Sequence, residues 1–341
     1  MAKVLVTSVL AIDAKAALPG HSVVAPERGR LDPEGLRNGL ATADALICLL
    51  TDRIDRTLLE AAPSLRIVAN HAVGVDNVDV AACTERGILV ANTPDVLTDA
   101  TADLTWALLL AAARRLGDAE GVLRAGRWTG WEPTQFLGVE LAGRTLGIVG
   151  LGRIGRAVAR RAIGFGMRVI YAAPRPAKDD AATSDVLGTV PVRHVTLDEL
   201  CAEADVVSLH CPATDATRGM FDAARLATLK PTAILVNTAR GALIDEPALA
   251  AALVAGKLGA AALDVFVDEP RVHPALLAAP RTVLLPHIGS ATETTRAKMG
   301  QLCVDAVRDA LAGKRPAHLV NPSAWRGEAR RALPDEGQKA P

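Results

Sequence analysis

The feature that most constrains the fold of this chain is the segment GIVGLGRIGRAVARR at residues 147–161. Gly150, Gly152 and Gly155 have the spacing G-x-G-x-x-G there, between an apolar strand and an amphipathic helix. The first glycine permits a tight turn, the second lets a pyrophosphate approach the backbone, and the third lets the helix pack against the strand. The helix N-terminus adds free N–H groups and a partial positive charge. The segment therefore predicts a dinucleotide-binding turn rather than a glycine-rich turn without a ligand.

Short apolar runs alternate with helical patterns on both sides of this segment. Roughly residues 1–95 contain the runs KVLVTSV, ALICLL, LRIVANH and GILVAN. A second series begins at TLGIVGLG and continues through MRVIYAA, ADVVSLHCP, AILVNTARG, GAAALDVF and TVLLPHIGS. Such alternation predicts parallel sheets with crossover helices. Because 341 residues exceed one ordinary core, we expect an α/β protein with two doubly wound parallel-sheet domains.

Three further segments complete the outline of the chain. Residues 99–126, rich in Ala and Leu, predict one long and mostly buried helix, and a final helix is expected at about 291–313. Residues 127–143, RWTGWEPTQFLGVELAG, have no clear period and predict an extended excursion. Its two tryptophans could pack against a partner subunit or against their own domain. Residues 326–341 are polar and predict a disordered tail.

Composition excludes several classes of partner. Lys plus Arg and Asp plus Glu each number 38, which argues against nucleic acid or an anionic membrane as the main partner. The N-terminal run could be read as a signal peptide, but its β-branched content favours a first buried strand. No apolar stretch is long and charge-free enough to predict a membrane span.

The cysteines predict neither a metal site nor a nucleophile. No CxxC pair or zinc-like Cys/His spacing occurs, so we expect buried, reduced thiols and a cytoplasmic protein without a metal. Cys211 follows His210 directly, but neighbouring strand residues point to opposite faces, which disfavours a catalytic Cys–His pair. The five cysteines are Cys48, Cys83, Cys201, Cys211 and Cys303.

The segment RVIYAAPRPA at residues 168–177 bears on the choice of dinucleotide. An acid about 20 residues beyond the glycines usually binds the ribose hydroxyls of NAD. Ala173 and Pro174 stand there instead, and Arg175 follows. Without the acid nothing repels the 2′-phosphate of NADP, and Arg175 could donate to it. We therefore expect NADP(H) to be preferred. NAD(H) stays possible, because Arg175 could be a solvated loop charge and acids at 179 and 180 lie nearby.

Four charged residues follow three later strand-like runs. Arg240 lies in VNTARGALID, Asp264 and Glu269 lie in LDVFVDEP, and His287 lies in LLPHIGS. Ligands bind at the carboxyl ends of strands in open α/β sheets, so we expect these groups at one edge. Taken singly, Arg240 could form a salt bridge, Glu269 could cap a helix, and His287 could be a hydrogen-bonded core residue.

Together these motifs resemble the D-isomer-specific 2-hydroxyacid dehydrogenases, and most closely the glyoxylate/hydroxypyruvate reductase branch. The resemblance extends from KVLVT to LVNP. The motifs that carry it, in family order and spacing, are NHAVGVDNVDV, NTPDVLTDATADLTWALLL, GRWTGWEPTQFLG, GLGRIGRAVARR, NTARGALID, DVFVDEP and LPHIGSAT. It implies a catalytic triad of Arg240, Glu269 and His287.

The chemistry of a 2-keto acid reduction fits these residue types. A hydride goes to the carbonyl carbon and a proton to its oxygen, and imidazole titrates in the right range to give that proton. Glu269 would favour the imidazolium and orient it, and Arg240 would bind the substrate carboxylate and polarise the carbonyl. The resemblance implies a second carboxylate cradle from the amides of Val73 and Gly74. The role of His71, just before that cradle, stays open.

The resemblance also implies further cofactor contacts and a domain plan. It implies an NAD(P)-dependent enzyme with cofactor-contacting residues Leu151, Arg153, Ile154, Cys211, Pro212, Thr217, Thr238, Ala239, Asp264 and Gly289, besides the glycines and Ala173, Pro174 and Arg175. A flavodoxin-like substrate domain would comprise residues 1–98 and 288–325, and a Rossmann domain residues 99–287, with the active-site cleft between them. Relatives imply a homodimer that pairs through the cofactor domain, with Trp131 reaching the neighbour. The first strand–helix unit is short for the family, so its helix is expected to be truncated.

Two other functions fit the same resemblance. One is an NAD-dependent dehydrogenase for a larger 2-keto acid, such as 2-ketogluconate or an aryl-pyruvate. The other is a dinucleotide-sensing protein like the C-terminal-binding-protein corepressors, which share the fold. Long-form phosphoglycerate dehydrogenase is disfavoured, because no regulatory domain follows the last helix.

Overall fold

A computed structural model describes residues 1–176 and 192–325 of the chain. The acids at 179 and 180 and the tail at 326–341 lie outside the described residues. Two compact units are present: Met1–Leu97 together with the chain from Ala291 onward, and Thr98–Ser290. Each unit is an α/β structure built on its own parallel sheet, which confirms the predicted fold class of two parallel-sheet domains.

The described strands and helices alternate along most of the chain. The strands are β1 Lys3–Val6, β2 Ser22–Val24, β3 Ala45–Cys48, β4 Ile67–Asn70, β5 Leu89–Ala91, β6 Thr145–Val149, β7 Arg168–Ala172, β8 Val192–His194, β9 Val206–Leu209, β10 Ile234–Asn237, β11 Ala260–Leu263 and β12 Thr282–Leu284. The helices are α1 Ala14–Ala17, α2 Pro33–Leu40, α3 Arg56–Glu60, α4 Val80–Glu85, α5 Thr98–Ala113, α6 Leu116–Arg124, α7 Arg153–Ala162, α8 Leu197–Glu203, α9 Ala223–Leu226, α10 Glu246–Val254, α11 Pro274–Ala278 and α12 Glu293–Leu311.

The first unit contains a five-stranded parallel sheet in the order β2-β1-β3-β4-β5. Residues of β3 and β4 are buried on both faces, as expected where helices cover both sides of a parallel sheet. One face packs against α2, α3 and α4, and the other packs against α1 and α12. The first helix has only four residues, which agrees with the truncation predicted from the short first segment.

The second unit contains a seven-stranded parallel sheet in the order β12-β11-β10-β9-β6-β7-β8. The chain starts at β6 in the interior, proceeds outward through β7 to β8, and then returns to place β9 on the other side of β6. The order therefore reverses beside β6, and crevices at such reversals bind ligands outside the strand ends. Apolar clusters cover both faces of the sheet.

The predicted single helix over residues 99–126 is wrong, because the chain forms α5 and α6 with a break between them. The carbonyl of Ala113 accepts a hydrogen bond from the Val139 amide at 2.8 Å instead of continuing the helical pattern. Arg115 adopts a left-handed backbone with φ of 55° at the break. The helix α5 is largely buried, whereas α6 has no buried residue. The hydrogen bond from Val139, which lies outside both helices, thus ends α5.

The excursion is irregular, as predicted, with neither helix nor strand in residues 127–140. Gly138 lies against the backbone of Ala113, so this part packs on its own unit. Trp131 is 80% exposed and Trp128 is also exposed. Packing of these two side chains against a partner subunit stays a prediction. Among the described residues, no helix is long and apolar enough to cross a membrane.

Candidate active site

Three adjacent strands of the second unit end in the charged residues that the sequence singled out. Arg240 follows β10, Asp264 and Glu269 follow β11, and His287 follows β12. Because β10, β11 and β12 are neighbours and parallel, all four residues lie at the same edge of the sheet.

The side chains of His287 and Glu269 form a close pair at this edge. Nδ1 of His287 lies 2.7 Å from Oε2 of Glu269, and the two side chains are 29% and 24% exposed. The other oxygen, Oε1, accepts the Phe266 amide at 3.0 Å. Since Nδ1 is engaged with the carboxylate, Nε2 is the ring nitrogen left for proton transfer.

The electrostatics of Glu269 favour its ionised form. Burial alone would raise the pKa of this carboxyl group. The hydrogen bonds from His287 and the Phe266 amide, together with the charges of His287 and Arg240, outweigh burial and hold the pKa below its usual value. A carboxylate therefore stands beside the imidazole at neutral pH and orients its ring.

Asp264 holds the turn that carries His287. Its side chain is 1% exposed; Oδ1 accepts the Ile288 amide at 2.7 Å and Oδ2 accepts the Gly289 amide at 2.8 Å. Its backbone carbonyl accepts the His287 amide at 2.9 Å. Burial raises the pKa of Asp264 despite these amide bonds. These bonds fix His287 in a left-handed conformation, with φ of 54°. The contact of Asp264 with the cofactor, which the family resemblance implies, stays a prediction.

The side chain of Asn237 holds the backbone turn that carries Arg240, a role that the sequence pattern did not indicate. Nδ2 of Asn237 donates to the Arg240 carbonyl at 2.8 Å, and Oδ1 of Asn237 accepts the Ala239 amide at 3.0 Å. The Arg240 guanidinium donates to the Ala239 carbonyl at 2.7 Å. The motif VNTARG contained this Asn, but its role depends on the sharp turn after β10, which no periodicity reveals.

The glycine-rich turn follows β6 at the point where the strand order reverses. Gly150 has φ of 94°, and a Cβ there would lie 2.8 Å from the His210 carbonyl oxygen. A Cβ on Gly155 would lie 2.2 Å from the Gly150 carbonyl oxygen. A Cβ on Gly152 would meet nothing within 4 Å, so the space above this residue is open. Closed space at two glycines and open space at the third fit a pyrophosphate approaching Gly152.

The other predicted cofactor residues lie around the same edge. Leu151 is buried in the turn, while Arg153 and Ile154 begin α7, whose N-terminus faces the turn. The hydroxyls of two threonines are already hydrogen-bonded within the protein. Thr217 donates to the Pro212 carbonyl at 2.7 Å, and the Thr238 hydroxyl lies 2.9 Å from that of Thr105. Cys211 and Pro212 follow β9. Thr238 and Ala239 follow β10, and Gly289 follows β12.

The start of the loop after β7, residues 173–176, is where the acid is missing, and most of this part is exposed to solvent. Pro174 and Arg175 are exposed, and Ala173 is half-buried. Nε2 of His194 lies 3.0 Å from the Ala173 carbonyl, and the His194 ring contacts the Tyr171 ring at 5.0 Å. Since a carbonyl only accepts, Nε2 carries the proton. His194 therefore anchors this loop, which the sequence did not indicate.

The predicted carboxylate cradle is a loop of the first unit, after β4. Side chains hold its carbonyls: Asn92 donates to Val73 at 2.7 Å and Asn70 donates to Gly74 at 2.9 Å. The amides of Val73 and Gly74 donate to no acceptor within the described residues, so they remain available to an anion. His71 is buried, and its Nε2 lies 3.4 Å from the Arg296 carbonyl. Burial lowers the pKa of His71. His71 thus has a structural contact of its own.

Neither a metal site nor a cysteine nucleophile accompanies this arrangement in the described part of the chain. No three His, Cys, Asp or Glu side chains there gather as metal ligands. Burial raises the pKa of Cys211 to about 11 and lowers that of the neighbouring His210 to about 3. The imidazole of His210 bonds to the Ser208 hydroxyl at 2.8 Å instead. A neutral thiol beside a neutral imidazole is not an activated pair.

The chain belongs to the D-isomer specific 2-hydroxyacid dehydrogenase family, whose NAD binding domain matches residues 106–289. Within that family it falls in the glyoxylate reductase branch. It is 48% identical to the glyoxylate reductase of Thermococcus litoralis over 282 residues, which cover 82% of this chain and 83% of the relative. The match confirms the resemblance seen in the sequence motifs.

Solved structures agree with this placement. A protein of Thermus thermophilus matches with a TM-score of 0.86 at 45% identity, over 93% of this chain and 99% of that one. The NADPH-dependent glyoxylate/hydroxypyruvate reductase of Sinorhizobium meliloti, solved with NADP and malonate, matches with a TM-score of 0.81 at 34% identity, over 96% and 99%. The chain is therefore an NAD(P)-dependent 2-hydroxyacid oxidoreductase.

Proposed function

We propose that this protein reduces glyoxylate and hydroxypyruvate to the corresponding 2-hydroxy acids and prefers NADPH. The observation that carries the proposal is the 2.7 Å pair of His287 and Glu269 at the sheet edge that also carries Arg240. A proton donor, its carboxylate partner and a guanidinium are the groups that a keto-acid reduction requires. Related glyoxylate reductases support the substrate class.

In this proposal the side chains divide the work of the reaction. The bound dinucleotide supplies the hydride. His287 gives the proton at Nε2 to the substrate oxygen, while Glu269 at Nδ1 keeps the ring charged and oriented before transfer. Arg240 binds the substrate carboxylate and stabilises negative charge on the carbonyl oxygen. Separately, we propose that the amides of Val73 and Gly74 in the first unit bind a carboxylate.

The NADPH preference rests on the loop after β7. Ala173 offers no negative charge against a 2′-phosphate, and Arg175 is an exposed guanidinium two residues further on. The related reductase from Sinorhizobium meliloti, which is NADPH-dependent, was solved with NADP. The reactive residues at β10 to β12 do not bear on this preference, so the cofactor and the substrate are separable parts of the proposal.

Steady-state kinetics with both dinucleotides test the proposal. We expect kcat/KM with NADPH to exceed that with NADH on glyoxylate and on hydroxypyruvate. Equal or better use of NADH would remove the cofactor preference and leave the substrate class standing. Preference for 2-ketogluconate or an aryl-pyruvate with NADH would establish the alternative, an NAD-dependent dehydrogenase of larger 2-keto acids. Binding of dinucleotide without turnover of any 2-keto acid would favour a sensing protein.

We also propose that the protein is a cytoplasmic homodimer. Four of the five cysteines are buried free thiols, which suits a reducing compartment. The exposed Trp128 and Trp131 of the excursion are the proposed dimer contacts, since exposed aromatics favour interfaces. Sedimentation of the wild type and of Trp131→Ala tests this: a dimer weakened by the substitution is expected, and a wild-type monomer would contradict it.

A further inference from the structure

Glu246 is a buried carboxylate outside the proposed triad. It is the first residue of α10, and it is 7% exposed. Acids in the first turn of a helix usually remain in water, where they interact with the helix dipole. The Glu246 side chain instead leaves its own helix, and Oε1 accepts the Val267 amide at 2.7 Å. Capping of its own helix therefore does not account for the position of the Glu246 side chain.

The bonded amide lies beside the one that holds Glu269. Phe266 and Val267 are consecutive, and their amides donate to Glu269 at 3.0 Å and to Glu246 at 2.7 Å, respectively. One short loop after β11 thus lies between two carboxylates, one that pairs with His287 and one on α10. Displacing the Val267 amide would displace the Phe266 amide, and with it the position of Glu269.

A second contact joins the same two loops. A Cβ on Gly241 would lie 1.9 Å from the Phe266 carbonyl carbon and 2.4 Å from the Val267 nitrogen. The residue after Arg240 therefore rests directly on the backbone that Glu246 binds. The loop of Arg240 reaches the loop of Glu269 at two points, the backbone approach at Gly241 and the side chain of Glu246.

We propose that Glu246 is a positioning residue that holds Glu269 against His287. This inference rests on the proposed function of the Glu269–His287 pair. The carboxylate of Glu246 fixes the Val267 amide, the loop keeps the Phe266 amide on Oε1 of Glu269, and Oε2 then meets Nδ1 of His287. Without Glu246 the loop loses one of its two anchors, and the imidazolium loses part of its stabilisation by the nearby negative charge.

Three substitutions separate the hydrogen bond from the charge. Glu246→Gln keeps an oxygen acceptor at full length, Glu246→Asp keeps the charge but withdraws it by one methylene, and Glu246→Ala removes both. We expect kcat/KM of the Gln variant to stay within about threefold of the wild type, whereas the Ala and Asp variants fall roughly ten- to hundredfold, the loss typical of a small misplacement. Glu34→Ala is the matched control, because Glu34 also lies in the first turn of an Asp-capped helix, α2, and is exposed.

Two readouts distinguish positioning from general support of the fold. In the reduction direction the basic limb of the pH profile of kcat/KM should move to lower pH in Glu246→Ala, because the charged imidazole is less stabilised. Hydrogen exchange of the peptide covering residues 264–270 should accelerate in the same variant and not in Glu34→Ala. This second readout needs no turnover, so an inactive wild type would overturn the proposed function and still leave the loop contact testable.

Two outcomes would overturn the proposal. A Glu246→Ala variant that melts earlier but keeps the wild-type pH profile and exchange would assign Glu246 to stability alone. If the Ala variant does not fold, the Gln and Asp pair decides: an active Asp variant with an impaired Gln variant would show that charge, not the hydrogen bond, matters.

Discussion

The proposed catalytic edge, at the ends of β10 to β12, and the loop after β7 belong to one sheet but are held in different ways. At the catalytic edge, side chains and backbone are interlocked: Glu269 bonds to His287 and Phe266, and Asp264 bonds to Ile288 and Gly289. Residues 174–176, at the start of the loop after β7, are exposed, and the described anchor of this part is His194. The side chains at the edge are therefore fixed by several bonds, whereas an exposed side chain such as Arg175 can be exchanged with little structural consequence.

The largest effect should come from the catalytic edge. His287→Ala removes the proposed proton donor, so we expect kcat to fall roughly 10²- to 10⁴-fold, the usual contribution of a general acid. Thermal denaturation should change little, since the side chain is partly exposed. His273→Ala is a control in the same unit, because His273 caps the short helix α11 and lies outside the triad. Activity of the His287 variant within tenfold of the wild type would remove it from the chemistry.

Arg175→Asp tests the exposed loop. Replacing the guanidinium that we propose to bind the 2′-phosphate by a repelling carboxylate should lower the ratio of kcat/KM for NADPH over NADH by roughly ten- to hundredfold, since a hydrogen bond to a charged group contributes about 1.5–3 kcal/mol. Melting temperature without dinucleotide should be unchanged. Arg127→Asp, also exposed, controls for net charge. An unaltered ratio would show that Arg175 is a solvated charge.

Gly155→Ala and Gly152→Ala should separate folding from binding. Alanine at 155 presses on the Gly150 carbonyl, so we expect a loss of about 1–3 kcal/mol in the free energy of unfolding. Alanine at 152 enters open space, so stability should hold while the Kd for dinucleotide rises. Denaturant unfolding and fluorescence titration measure the two quantities. Equal destabilisation by both substitutions would contradict the conclusion that a Cβ has room at residue 152 and none at residue 155.

The smallest effect concerns pH and Glu269. Its pKa is lowered in the folded protein, so its contribution to stability is present above the unfolded value of about 4.3 and is lost as pH falls through the folded pKa. Wild type should therefore lose stability relative to Glu269→Gln on acidification below about pH 4.5, by no more than about 1 kcal/mol for a partly exposed pair. The comparison uses urea unfolding at several pH values, with Glu34→Gln as control. A constant difference between the two proteins would contradict the lowered pKa.

Local patterns were enough to predict the sheets, the glycine-rich turn and the strand ends that carry charged residues. Each of these follows from a repeat or a spacing within a few residues. The break between α5 and α6 did not follow, because it depends on the Val139 amide reaching Ala113 from a distant part of the chain. The same holds for Glu246 and Val267, and for His194 and Ala173, whose contacts join separate segments. The sequence segment DEPAL indicates a helix start equally well with or without such a contact.

Because the first unit combines residues that precede and follow the second unit, its completion comes late in synthesis. Val304 and Val307 of α12 belong to the same apolar cluster as Val4 and Ile67 of the first sheet, yet α12 follows the whole second unit in the sequence. At about 5–20 residues per second, a ribosome needs roughly 10–40 s to make the intervening Thr98–Ser290. During that time β1, β3 and β4 lack the helix that buries their second face. The nascent N-terminal region therefore exposes apolar strands until α12 emerges, and during this interval it is a surface that chaperones can bind.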